Sequence, residues 1–241
     1  MSATLALTAN GVPVDTSPDA YAALPPANDL LGDPGGLRRR MDQDGYLFFP
    51  QLLDPQMVLA ARHEILLKYA IVGEVDGRYP VDDAIAGDRA GVAGANVRAL
   101  SESVRNGEKY LAVTDAPEIL HLQSDLLGGE VKVFDMRWPR FVRPGEGCGF
   151  HCDGPYMNRA TSRIFSCWIP LGRVHRHEGA LMILEGSHTS ERLHAGYLRA
   201  DADVDGLKWL DDDPEVVRTA YGTRWLSADF EAGDVLMFGM H

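Results

Sequence analysis

The chain has 241 residues, 45% of them hydrophobic and 24% charged, with a formal net charge of −12 and three cysteines. That length supports one domain with a sizeable core, and the acidity argues against nucleic acid or an anionic membrane surface as a partner. An odd number of cysteines without a staple pattern, no apolar run of membrane-spanning length and no basic-then-apolar leader predict a reduced, cytoplasmic setting.

Residues 1–36 read as an irregular arm, because Asn10-Gly11, Pro13, Pro18, Pro25-Pro26 and Pro34-Gly35-Gly36 interrupt any periodic element. A helix over 37–44 then leads into Gly45-Tyr46-Leu47-Phe48-Phe49-Pro50, a strand bounded by Gly and Pro. Asp54-Pro55 sets an N-cap residue before a proline at the first helical position, and the helix it starts carries Val58, Ala61, Ile65 and Tyr69 on one face. Residues 73–96, rich in Gly, Asp and Ala, predict a long loop of the kind that serves as a lid. A helix over 117–127 stops at Gly128-Gly129. From Val131 the pattern turns to strands, over 131–142, 163–171, 180–184 and 234–238. Residues 199–215 carry Asp201, Asp203, Asp205, Asp211, Asp212 and Asp213 and read as a solvated insertion. Helices first and several short strands afterwards predict a mostly β domain with flanking helices, a jelly roll.

The chemistry-bearing run is Gly147-Cys148-Gly149-Phe150-His151-Cys152-Asp153. On extended backbone, side chains two positions apart share a side, so His151 and Asp153 offer one nitrogen and one oxygen donor next to each other. A second histidine from a distant strand would complete the facial triad of non-haem Fe(II) oxygenases. Composition alone produces a His-x-Asp by chance in a chain like this, so its neighbours in sequence carry the inference. Cys148 and Cys152 have the spacing of half a zinc site, but no second Cys/His pair matches them.

Those neighbours fall in a familiar order. Asp42-x-Asp44-Gly45-Tyr46, His151-Cys152-Asp153, Cys167-Trp168-Ile169-Pro170-Leu171, the run Glu178-Gly179-Ala180-Leu181 through Gly186-Ser187-His188, and Gly233-Asp234-Val235-Leu236-Met237-Phe238 together resemble the phytanoyl-CoA dioxygenase family. The resemblance covers residues 37–241, and Glu185 stands where the family usually has Pro before Gly-Ser-His. It implies a double-stranded β-helix, cupin-like in architecture, that binds Fe(II) and the co-substrate 2-oxoglutarate and uses O2 for hydroxylase-type oxidation of a C–H bond. His151 and Asp153 would be metal ligands. Halogenating relatives carry a small residue in place of the carboxylate, so Asp153 favours hydroxylation, desaturation or ring formation.

The family also implies a distal metal histidine and a co-substrate arginine that would fall after His241, the last residue here. The domain is therefore expected to lack its C-terminal strand as printed, with His241 as the alternative third ligand. Trp168 is expected beside 2-oxoglutarate, and Arg98 as a guanidinium for a co-substrate carboxylate. Arg137 and Tyr156 are expected to bind or line the site of a small organic substrate, for which secondary metabolism is one setting. No basic cluster suits a CoA phosphate. His188, in the Gly-Ser-His turn, reads as structural, His175 and His177 as surface residues, His63 and His121 as ordinary helical positions, and Cys152 as core. Two other readings stay open: a jelly-roll metal enzyme without 2-oxoglutarate, such as an isomerase, and a metal-free binding module on the same fold.

Overall fold

The computed structural model describes residues 6–88, 97–135, 137–143, 145, 147–157 and 161–241, with the side chains of 97–99 also left undescribed. Its first half is helical. Asp33 accepts from the Gly36 amide to start α1 (Pro34–Asp44), and Asp54 does the same from Gln56 for α2 (Pro55–Ile71). These are followed by α3 (Val97–Arg105), α4 (Glu108–Thr114) and α5 (Pro117–Leu127), the last closed by Gly128 at φ +68°. The strands are short: β1 (Thr8–Ala9), β2 (Val12–Pro13), β3 (Tyr21–Ala23), β4 (Tyr46–Phe49), β5 (Ser166–Trp168), β6 (Ile183–Leu184), β7 (Trp225–Ser227) and β8 (Val235–Phe238). Between them lie α6 (Gly154–Met157), α7 (Glu191–Ala195) and α8 (Pro214–Tyr221).

Two three-stranded sheets, in the orders β4-β8-β5 and β3-β7-β6, carry the core. Strand alternation divides the side chains of the first sheet between two clusters. Leu47, Phe49, Val235, Met237 and Cys167 pack on the helical layer with Leu37, Val58, Ala61, Ile119 and Leu122. Tyr46, Phe48, Leu236, Phe238 and Trp168 face the other way and meet Leu226, Ile183 and Ala22 of the second sheet. The order is helices, sheet, sheet, and the first sheet is buried on both faces. Phe49 and Val235 have no exposed surface at all.

The architecture is mixed rather than mostly β. The predicted strand 131–142 forms no regular strand among its described residues: Pro139 has no amide to give a ladder, and Phe134, Trp138 and Val142 are exposed. The strands predicted over 163–171 and 180–184 shrink to β5 and β6. The arm expected to be irregular contributes β3, which pairs in parallel with β7 through Tyr21↔Trp225 and Ala23↔Ser227. The acidic stretch is also more than solvated surface. Leu210 donates its amide to Phe150 O at 2.7 Å, Ala202 donates to Pro155 O at 3.0 Å, and Asp213 caps α8 through the Glu215 amide. Of the expected lid, 89–96 lies outside the described residues. No described helix is long and apolar enough to cross a membrane.

Candidate metal centre

The loop before α6 brings His151 and Asp153 together, with His151 Nε2 3.5 Å from Asp153 Oδ1. Each side chain is held from behind. His151 Nδ1 lies 2.7 Å from Gly149 O, a carbonyl that can only accept, so Nδ1 carries a proton and Nε2 is the nitrogen turned toward Asp153. Ser166 Oγ donates to Asp153 Oδ2 at 2.6 Å and leaves Oδ1 on the His151 side. Ser166 opens β5, and the Asp153 carbonyl accepts the Tyr156 and Met157 amides that wind α6. The Gly154 amide donates to Met240 O at 2.8 Å, fastening the loop just past the end of β8.

Burial works against charge on Asp153, yet hydrogen bonds from His151 and Ser166 hold the carboxyl below its usual range. The Asp153 hydrogen bond in turn raises His151 against the effect of burial. The pair is one anionic oxygen and one oriented imidazole nitrogen, each with an outer partner. That is the donor set and support that first-row metals take from proteins. Among the described residues, no third His, Cys, Asp or Glu joins the two.

The other candidate residues divide. Tyr156 stands edge-on to the His151 ring at 5.8 Å. Trp168 lies on the same face of β5 as Ser166, two positions on, and packs edge-on to Phe230 at 4.8 Å. Arg137 does not join them, because Asp115 holds its guanidinium through two contacts of 2.6 Å. Arg140 takes the place nearer the pair: it donates to Cys148 Sγ at 3.2 Å, and its charge is felt at both His151 and Asp153. Arg98 lies in the first turn of α3 and its side chain is outside the described residues. His241 packs its ring on His194, centroids 5.1 Å apart, and burial lowers its pKa. The His188 ring lies against Gly45, so the turn carrying it and the Asp-Gly-Tyr segment are in contact. Burial and the neighbouring Asp153 push the Cys152 thiol up to about 12, which leaves it a poor nucleophile.

Two contributors have little sequence signal. Ser166 is legible only through its parity with Trp168. Tyr197, in a short 3₁₀ turn (Tyr197–Arg199) that packs on α6, has no local signature at all. Trp209 lies over Gly149, where any Cβ would collide with its indole.

A family model for phytanoyl-CoA dioxygenase matches residues 41–241. Two solved structures of the non-haem α-ketoglutarate-dependent epimerase SnoN from nogalamycin biosynthesis are similar, each over 86% of this chain and 75% of that one. The first has 18% identity and a TM-score of 0.45. The second, in complex with Fe3+, α-ketoglutarate and nogalamycin RO, has 19% and 0.44. With its motifs in order and the family model matching from Met41 to His241, the chain belongs to the phytanoyl-CoA dioxygenase family.

Proposed function

We propose that the chain is an Fe(II)- and 2-oxoglutarate-dependent oxygenase, built on a double-stranded β-helix, that oxidises a C–H bond of a small organic molecule by hydroxylation-type chemistry. The family uses Fe(II), 2-oxoglutarate and O2, and the enzyme is an oxidoreductase of that superfamily. The observation that carries the reading is the His151–Asp153 pair with its two outer partners, Gly149 O and Ser166 Oγ. The sandwich of β4-β8-β5 on β3-β7-β6, with Ser166 and Trp168 on its inner face, supports the β-helix assignment.

In this reading His151 Nε2 and Asp153 Oδ1 hold the metal. Iron held there, with 2-oxoglutarate and O2, would supply the oxidising power, the co-substrate being converted to succinate and carbon dioxide. The protein's own part is positional. Gly149 O fixes the imidazole tautomer, Ser166 fixes the carboxylate rotamer, and the buried surroundings restrict water. Asp153 fills the position a halide would need, which favours oxygenation over halogenation. Trp168 flanks the co-substrate and Tyr156 the substrate. Arg137 is committed to Asp115, so Arg140 is the better cation for an anionic group; Arg98 keeps its proposed co-substrate role, and His241 could serve as third ligand only by leaving His194.

Anaerobic titration of the purified chain with Fe(II) and then 2-oxoglutarate tests the assignment through the visible metal-to-ligand charge-transfer band. The band is expected in the wild type and lost in His151→Ala. No band, together with no succinate from 2-oxoglutarate, would leave the metal-free binding module as the better description.

A further inference from the structure

Three buried side-chain polar atoms among the described residues lack a hydrogen-bond partner, Tyr21 Oη, His188 Nε2 and Tyr197 Oη, and the last is near the pair. The Tyr197 hydroxyl oxygen is buried and makes no hydrogen bond among the described residues. It is not remote from the chemistry. The 3₁₀ turn that carries it packs on α6, and the groups that act on it are Tyr156, Cys152 and Asp153. The Tyr156 hydroxyl is its nearest polar neighbour and acts on it as a hydrogen-bonding group would, although the two do not meet hydrogen-bond geometry, and the Tyr156 ring is the one set edge-on to His151.

A cover closes over this place. The chain continues from Tyr197 through Ala202, bonded to Pro155 O, to Trp209 over Gly149 and Leu210, bonded to Phe150 O. The segment thus grips the metal loop on both sides of His151 and Asp153, and keeps bulk water from the hydroxyl. A buried hydroxyl without a partner is destabilising, so its burial here calls for a reason. Packing does not supply one, since phenylalanine would fill the same space without that penalty. Burial raises the phenol pKa, so at neutral pH the group is a hydrogen-bond donor.

We propose that Tyr197 is a ligand-binding residue of the His151–Asp153 site, its hydroxyl donating to a carboxylate or carbonyl oxygen of the molecule bound beside Asp153. The inference rests on reading that pair as a ligand-bearing centre. The acceptor oxygen belongs either to 2-oxoglutarate or to the organic substrate, and the substrate class it selects is an oxygen-bearing acid or ketone rather than a plain hydrocarbon. Arg140 strengthens the case for an acid. It donates to Cys148 Sγ, and its charge reaches both His151 and Asp153.

Tyr197→Phe separates this role from a structural one through two readouts. Thermal melting of the metal-free full chain is expected to give a Tm equal to or above that of the wild type, because an unsatisfied group has been removed. Calorimetric binding of 2-oxoglutarate to the Fe(II)-loaded, oxygen-free protein is expected to weaken at least tenfold if the acceptor oxygen is the co-substrate's. If that affinity is unchanged, a panel of small keto acids, hydroxy acids and ketones is screened by thermal protection of the metal-free chain. A compound that protects the wild type at a concentration at least tenfold lower than it protects Tyr197→Phe then identifies the substrate's oxygen. A lowered Tm for the variant overturns the proposal in favour of a structural hydroxyl. So does equal binding of 2-oxoglutarate and of every panel compound. Failure of the iron assignment would look different: no charge-transfer band in the wild type, with Tyr197-dependent protection by a panel compound retained.

Discussion

Ser166 and Gly45 show how single residues outside the His151–Asp153 pair shape its surroundings and the fold. Ser166→Ala removes the hydrogen bond that sets the Asp153 rotamer but no apolar contact of the core. Outer-sphere partners of this kind typically contribute about 10- to 100-fold in metal affinity. Fe(II) binding is therefore expected to weaken by about that factor while the urea midpoint stays near the wild type; unchanged metal affinity would remove Ser166 from the site. Gly45 adopts φ +79°, and a Cβ there would come within 2.6 Å of the His188 ring. Gly45→Ala combines a left-handed residue, about 1–2 kcal/mol by itself, with displacement of that ring. Chemical denaturation should register a loss of at least about 1 kcal/mol. A neutral result would show that the turn carrying His188 yields freely.

At the scale of the element, the β4-β8-β5 sheet does most of the positioning, since β5 carries Ser166 and Met240 follows β8. Phe49 lies fully buried between this sheet and the helices, so Phe49→Ala is expected to cost about 3–5 kcal/mol. Such a loss should also loosen metal binding through β8 and the loop it fastens, and equilibrium unfolding with and without Fe(II) would report both. The turns that join the second sheet depend on charge instead. The Arg176 guanidinium and amide hold Asp229 down to about 2, from an ordinary 3.8. Because the folded value lies below the unfolded one, the stabilisation is present above about pH 4 and fades as pH falls towards 2. Asp229 is largely open to solvent, so the effect is small and screened by salt. The stability difference between wild type and Asp229→Asn should shrink on acidification and at high ionic strength; a pH-independent difference would mean that the side chain acts through packing.

The whole molecule is tied together by segments distant in sequence. β3 adds to β7 in parallel, and Leu7, Val14, Tyr21 and Leu24 are buried along the same arm. Removing residues 1–23 exposes an edge of β7 beside Trp225 and strips the apolar cover from it. Burial of even one or two such side chains stabilises by about 2 kcal/mol or more, which corresponds to about 4–8 °C in Tm for a domain of this size. A truncated chain that melts with the full-length one would show the arm to be an ornament of the sheet.

Local physics made much of this legible in the sequence. An Asp-Pro start marked α2 and a Gly stop marked α5, because caps and proline act within a turn of the helix. The ordered motifs, with His-x-Asp among them, marked the family, and the period of two marked a paired nitrogen and oxygen. Asp213-Pro214 carried the same start signal for α8 but lay hidden in an acidic run. The strand pattern at 131–142 was misleading because alternation describes a strand only where a sheet exists to receive it. What tertiary structure alone decided were pairings between chain segments far apart. Asp115 took Arg137 and left Arg140 beside the candidate site, the arm became a strand, and the acidic stretch became a cover over the His151–Asp153 loop and the Tyr197 hydroxyl. Those outcomes depend on which charges and surfaces the fold brings within a few ångströms, and sequence spacing does not encode that.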